Sequence, residues 1–97
     1  MKAYELLYFV APTTDDDARA AVIDRVRGVV TESEGTLDNV DEWGKRKLAY
    51  EINGLADADY TLIDFHTDPE NIAELDRVLR INDAVIRHMI VARTDRD

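Results

Sequence analysis

Six periodic segments follow one another along the 97 residues, and their order restricts the fold more than any single residue does. AYELLYFV, residues 3–10, puts Tyr4, Leu6, Tyr8 and Val10 on one side of a strand and Leu7 and Phe9 on the other, the pattern of a central strand apolar on both faces. Pro12 ends it. Thr13 or Thr14 then offers an N-cap, and Asp15, Asp16 and Asp17 place negative charge where a helix dipole favours it. Apolar positions 22, 26, 29 and 30 form a helical stripe that closes at Gly35, a C-cap residue, so a first helix is predicted over 14–34. Residues 36–52 are extended, with Gly44 mid-run as a bulge or bend. NGLADAD, 53–59, supplies turn chemistry, and YTLIDF, 60–65, returns as the second strand of a hairpin. Asp68 and Pro69 mark a helix start, and Ile72, Leu75, Val78 and Leu79 share one face of a short helix ending near Arg80. AVIRHMIVA, 84–92, is a last strand, and TDRD is a polar, fraying tail.

The order βαββαβ with right-handed crossovers predicts an α+β fold. A four-stranded antiparallel sheet carries both helices on one face, in the ferredoxin-like arrangement. It spans 1–97 as one domain, with the short polar tail from about residue 93. The other sheet face is left uncovered, and Leu7, Phe9, Tyr60 and Leu62 fall on it together, which makes them the candidate partner-protein interface.

Reactive chemistry is sparse. There is no cysteine, hence no disulfide framework, thiolate or Cys-ligated metal, and a reducing cytosol is the expected compartment. The opening apolar run is interrupted by Glu5 and ended by Pro12, so it reads as a strand and not as a signal peptide; no stretch approaches the ~18 apolar residues of a membrane span. His66 and His88 lie on separate strands without ligand spacing, and Asp15–Asp17 point in different directions on a helix, so no metal is expected. The four glycines, at 28, 35, 44 and 54, stand alone, and no phosphate loop or cofactor site is indicated. An enzyme is not expected.

A net charge of −9 argues against nucleic acid, because phosphate contact means neutralising charge. Distribution weakens the objection: base gathers at 45–47 and again from Arg77 onward, so one basic surface can sit on an acidic body. In WGKRKLAYEI, 43–52, strand alternation turns Lys45 and Lys47 to one side and Arg46 to the other. The block either protects a sheet edge from aggregation or contacts phosphate, and on spacing alone the two readings stand level.

EWGKRKLAYEI resembles the signature segment of the bacterial small-subunit ribosomal protein six family: a glycine, a basic run, Leu-Ala-Tyr, one residue, and Ile. KAYELLYFVAP and LRINDAVIRHMIV are similar to the same family at matching places, so the resemblance covers nearly the whole chain. Glu51 departs from it, standing where proline is common and setting a carboxylate beside the basic block; the tail lacks the longer extension of some members. The resemblance implies a ferredoxin-like structural component of the small ribosomal subunit, in the cytoplasm. It would bind the central domain of small-subunit ribosomal RNA together with ribosomal protein eighteen, with no small-molecule substrate and no membrane. By matching positions, Lys2, Lys45, Arg46, Lys47, Arg80, Arg87 and His88 are the RNA-facing candidates, making positioning contacts to phosphate and sugar. Competing structural roles are a helix-terminal charge for Arg80, a cross-sheet ion pair for Arg87, and hairpin packing for Trp43 and Tyr50. The alternative functions open to this fold are a small-molecule-binding regulatory domain and an acylphosphatase-like enzyme. The latter needs an anion-binding loop with arginine after the first strand, where this chain has APTTDDD.

Overall fold

The computed structural model describes residues 1–52 and 54–96. Its elements run β1 (Lys2–Val10), α1 (Asp16–Thr31), β2 (Thr36–Ile52), β3 (Leu55–Thr67), α2 (Ile72–Arg80) and β4 (Val85–Ala92), with 3-10 turns at Pro69–Asn71 and Thr94–Arg96. The strands form one antiparallel sheet in the order β2-β3-β1-β4. This is the ferredoxin-like arrangement expected from the order of periodicities.

The main core lies between the sheet and the helices. Leu6, Tyr8 and Val10 of β1 and Ile63 and Phe65 of β3 meet Val22, Val26 and Val30 of α1 and Leu75 and Leu79 of α2. The helical stripe and the period-two strand faces are thus two sides of one buried layer, which is where most of the hydrophobic stabilisation resides.

Local chemistry accounts for most boundaries, and where it does not a tertiary contact does. The cap of α1 is Asp15, whose Oδ1 accepts from the Ala18 amide at 2.7 Å, and not Thr13 or Thr14. At the other end the helix stops three residues before the predicted 34, and the left-handed residue is Glu34, at φ 64°, not Gly35. Gly35 is required for a different reason: a Cβ there would collide with the carbonyl oxygens of Val30 and His66. Asn71 holds the same corner together, its Nδ2 donating to Val29 O, Ser33 Oγ and Thr67 Oγ1 at 3.2, 2.7 and 3.3 Å. Asp68 caps the turn that leads into α2, accepting from the Glu70 amide at 3.2 Å.

The hairpin differs from expectation. β3 begins at Leu55, so most of the stretch read as a turn, 53–59, is strand; Asn53 lies outside the described residues. Asp57 and Asp59 pair with Lys47 and Lys45 across the ladder, and each has a cation near it, Lys45 at 3.8 Å and Arg19 at 2.5 Å respectively. Gly44 does mark a bulge: the β2–β3 register shifts between Glu42 and Gly44, and Gly44 has φ 78°.

Candidate interaction surfaces

The face of the sheet away from the helices is read directly from the register. Leu7 pairs with Leu62 and with Met89, Phe9 with Tyr60 and with Arg87, and Glu5 with Asp64 and with Val91. Leu7, Phe9, Tyr60 and Leu62 therefore do share one face, as alternation predicts, but they are not equally available. Phe9 is buried at 9 % exposure, under a small second cluster in which Leu48 and Ala58 are its buried neighbours and Ile52, Leu55, Tyr60 and Ile86 pack at the margin. A further register shift between Lys47 and Ile52 accompanies this return of the β2 end onto the sheet. Phe9 is thus an anchor for the hairpin and offers little surface to a partner.

What remains open is an apolar band. Leu7, Tyr60 and Leu62 are half-buried, whereas Met89 is 55 % exposed and Val91 and Trp43 are each 39 % exposed. Met89 and Val91 are not among the interface candidates read from the sequence; alternation along β4 puts them on the side of Arg87 and could have found them, but their exposure depends on what packs against β4 there. Trp43 stacks on Tyr60 at 6.2 Å between ring centroids, and Tyr60 stacks on Phe9 at 5.0 Å, with interplanar angles of 8° and 11°. Because both faces of Tyr60 are taken by rings of the chain itself, the row presents edges outward, a surface suited to apolar side chains more than to stacked bases.

The seven cationic candidates do not converge on one patch. Lys45, Arg46 and Lys47 stand on β2, opposite Asp59, Ala58 and Asp57. Lys45 makes the long pair to Asp57, Arg46 donates only to the Lys45 carbonyl at 3.3 Å, and Lys47 has no ion pair among the described residues. Arg80 and His88 meet on the helix side at one carboxylate: Arg80 Nη1 and His88 Nε2 lie 3.1 and 2.7 Å from Asp76. That contact, chiefly the His88 bond, holds the Asp76 carboxyl below its usual range. His88 is turned inward and its side chain is only 14 % exposed, a poor disposition for reaching RNA. Arg87 is exposed on the open face and makes no ion pair among the described residues, so the cross-sheet pair considered for it does not form there. Strand spacing puts the β2 and β4 edges roughly 14 Å apart, and Lys2, opposite Thr67, lies at the far end of β1, roughly 26 Å along from the hairpin cations.

On the helix side a groove of about 660 Å³ runs between the start of α1 and β2–β3, lined by Tyr8, Arg19, Glu42 and Asp59 among others. Its arginine is already committed: Arg19 pairs with Asp59 and donates to the carbonyls of Pro12 and Thr14 at 3.0 and 2.8 Å. An anion at this loop would meet a neutralised guanidinium beside Glu42 and Asp16. Burial raises the Tyr8 phenol above its ordinary value, which keeps it neutral at the groove wall. Among the described residues no cluster of His, Asp and Glu is placed to hold a metal, and no helix is long and apolar enough to cross a membrane.

A ferredoxin-like sheet with an apolar open face and a cationic hairpin, whose helix-side groove has its arginine already neutralised by Asp59, has the features of a small module of macromolecular assembly. The sequence profile of the family described as Ribosomal protein S6 matches residues 3–92. The chain is 47 % identical over 93 residues to small ribosomal subunit protein bS6 of Clostridium botulinum, covering 96 % of this chain and 99 % of that one. It is 50 % identical over 91 residues to the Clostridium perfringens protein of the same name, with 94 % and 96 % covered. The crystal structure of 30S ribosomal protein S6 from Thermotoga maritima superposes with a TM-score of 0.86 at 34 % identity, over 97 % of this chain and 89 % of that one. The chain belongs to the ribosomal protein S6 family. It is accordingly a structural protein of the small ribosomal subunit in the cytoplasm, and not an enzyme.

Proposed function

We propose that this chain joins the central domain of small-subunit ribosomal RNA as a heterodimer with ribosomal protein eighteen. In this reading the open sheet face takes the partner protein and the hairpin cations contact RNA phosphate. The observation that carries it is the apolar band of Leu7, Leu62, Met89 and Val91 on a sheet face that no helix covers, next to a hairpin bearing Arg46 and Lys47 without carboxylate partners among the described residues. Arg87, at the margin of the band, supplies a further cation without an ion pair among the described residues. Lys45 would exchange its long pair to Asp57 for phosphate at little cost. Arg80 and His88 stabilise the α2–β4 junction through Asp76 and contribute less to RNA than the hairpin does.

An acidic body carrying a local basic strand suits a two-step assembly, in which charge complementarity selects a basic protein partner and the pair then meets RNA. The test is calorimetry of the purified chain against recombinant ribosomal protein eighteen, followed by titration of the pair with a central-domain RNA fragment. The expected result is a one-to-one protein complex that binds the fragment more tightly than either protein alone. Independent, additive binding of the two proteins to RNA, with no complex in its absence, would overturn the reading.

A further inference from the structure

One end of the open sheet face is occupied by the chain itself. Glu5 on β1 and Asp64 on β3 are direct cross-strand neighbours on that face, with side chains 22 % and 25 % exposed. Like charges so placed repel unless a cation lies between them. Arg96 provides it, its Nη1 lying 2.8 Å from Asp64 and 3.4 Å from Glu5, and Arg93 adds a contact to Glu5 at 3.0 Å. His66 Nε2 lies 3.3 Å from the Arg96 carbonyl. The residues read as a fraying polar tail are thus laid along the sheet, although none of Thr94–Arg96 is buried.

We propose that the Arg93 side chain and the turn Thr94–Arg96 form a displaceable strap on the partner face: their guanidinium groups hold the Glu5–Asp64 pair in the free protein and yield it to an arginine-bearing segment of the partner. The inference rests on the partner-face reading above and adds its regulation. Three features carry it. The carboxylate pair adjoins the apolar band, since Leu7 and Leu62 are the next residues on the same face of their strands and Val91 is opposite Glu5, so a ligand lying on the band reaches the pair. The Arg93 backbone stays on the sheet, its amide donating to the carbonyl of buried Ala3 at 2.9 Å, so what lifts is the Arg93 guanidinium and the Thr94–Arg96 turn, held by side chains 31 % and 40 % exposed in contacts that are weak and exchangeable. Arg93 also keeps a carboxylate when it leaves, because Asp95 accepts from its Nε and Nη2 at 3.2 Å each. Lifting the strap therefore strands the acids on the sheet more than the cations on the strap. A partner guanidinium restores their neutralisation while its flanking apolar side chains cover Met89 and Leu7.

The test uses the full chain and two synthetic peptides of equal length, one alternating leucine with arginine and one alternating leucine with glutamine, titrated by NMR. Wild type is compared with R93A/R96A, with the milder R96A, and with E5Q/D64N, folding being checked by circular dichroism. Removing the strap should tighten binding of the arginine peptide about five-fold, as expected for loss of a competitor held by exposed ion pairs. E5Q/D64N should lose the preference for arginine over glutamine. Unchanged or weaker arginine-peptide binding by R93A/R96A and R96A, persistence of the arginine preference in E5Q/D64N, or no binding of either peptide to any variant overturns the proposal. Absence of a complex with ribosomal protein eighteen would instead refute the assembly reading, and the peptide titrations separate the two.

Discussion

Replacing Lys45, Arg46 and Lys47 together by alanine isolates the electrostatic work of the hairpin. Among the described residues their side chains contribute one long ion pair, at 3.8 Å between groups 65 % and 38 % exposed, and one bond from Arg46 to a backbone carbonyl. Loss of these should cost the fold under about 1 kcal/mol, or no more than about 5 °C in melting temperature for a domain of this size. RNA binding should respond differently. Each phosphate contact removed lowers the slope of log affinity against log salt by about 0.9 on duplex and about 0.7 on single strands, so three contacts give a drop of roughly 2 to 3. Across a change from about 50 to about 200 mM salt, the affinity ratio of wild type to variant should then shrink roughly 20- to 40-fold. The assay titrates the partner-bound protein with a central-domain fragment at several salt concentrations. R46A and K45A/K47A, run separately, divide the effect between the two sides of β2, because the register sets Arg46 opposite Ala58 and the lysines opposite Asp59 and Asp57. Unchanged slope together with unchanged affinity would refute the reasoning and leave the block as protection for an exposed sheet edge.

Three further outcomes follow from the packing. Met89→Asp should weaken association with ribosomal protein eighteen at least ten-fold in calorimetry while leaving the urea midpoint nearly unchanged, because Met89 is exposed in the free chain and a carboxylate there is desolvated only in the complex. Equal affinity would remove Met89 from the interface. Gly35→Ala should lower stability by about 1–3 kcal/mol, since the new methyl meets two backbone carbonyls that cannot step aside, whereas Glu34→Gly should raise it by up to about 1 kcal/mol through relief of a left-handed residue; denaturant melts distinguish the signs. Tyr8 is raised from 10.0 chiefly by burial, so the fold favours the neutral phenol: that contribution is complete below the unfolded value and disappears as pH rises through the folded one. Wild type should therefore lose more stability than Tyr8→Phe between about pH 9 and about pH 11, and parallel losses in the two proteins would contradict it.

The order of periods along the chain by itself determined the architecture. Period-two and period-3.6 patterns encode which side of each element must leave water, and right-handed crossovers leave few ways of joining them. The same alternation grouped Leu7 with Phe9 and Tyr60 with Leu62, and glycine chemistry marked the bulge at Gly44. Other features depended on contacts between residues far apart in the chain, which no local pattern records. LADAD, 55–59, has the composition of a turn and becomes strand through its pairing with β2, with Lys45 and Arg19 beside its acids. Phe9 belongs to the open face by alternation and is closed off because the shifted end of β2 brings Leu48 onto it. Alternation sends His88 to the face opposite Arg87, but its burial there against Asp76 depends on where α2 packs. The arginines of the polar tail lie on the sheet because Glu5 and Asp64, 59 residues apart in the chain, become cross-strand neighbours and require a cation between them. Period fixes the face a side chain takes; whether that face stays open is set by which distant charge or apolar group the assembled sheet brings against it.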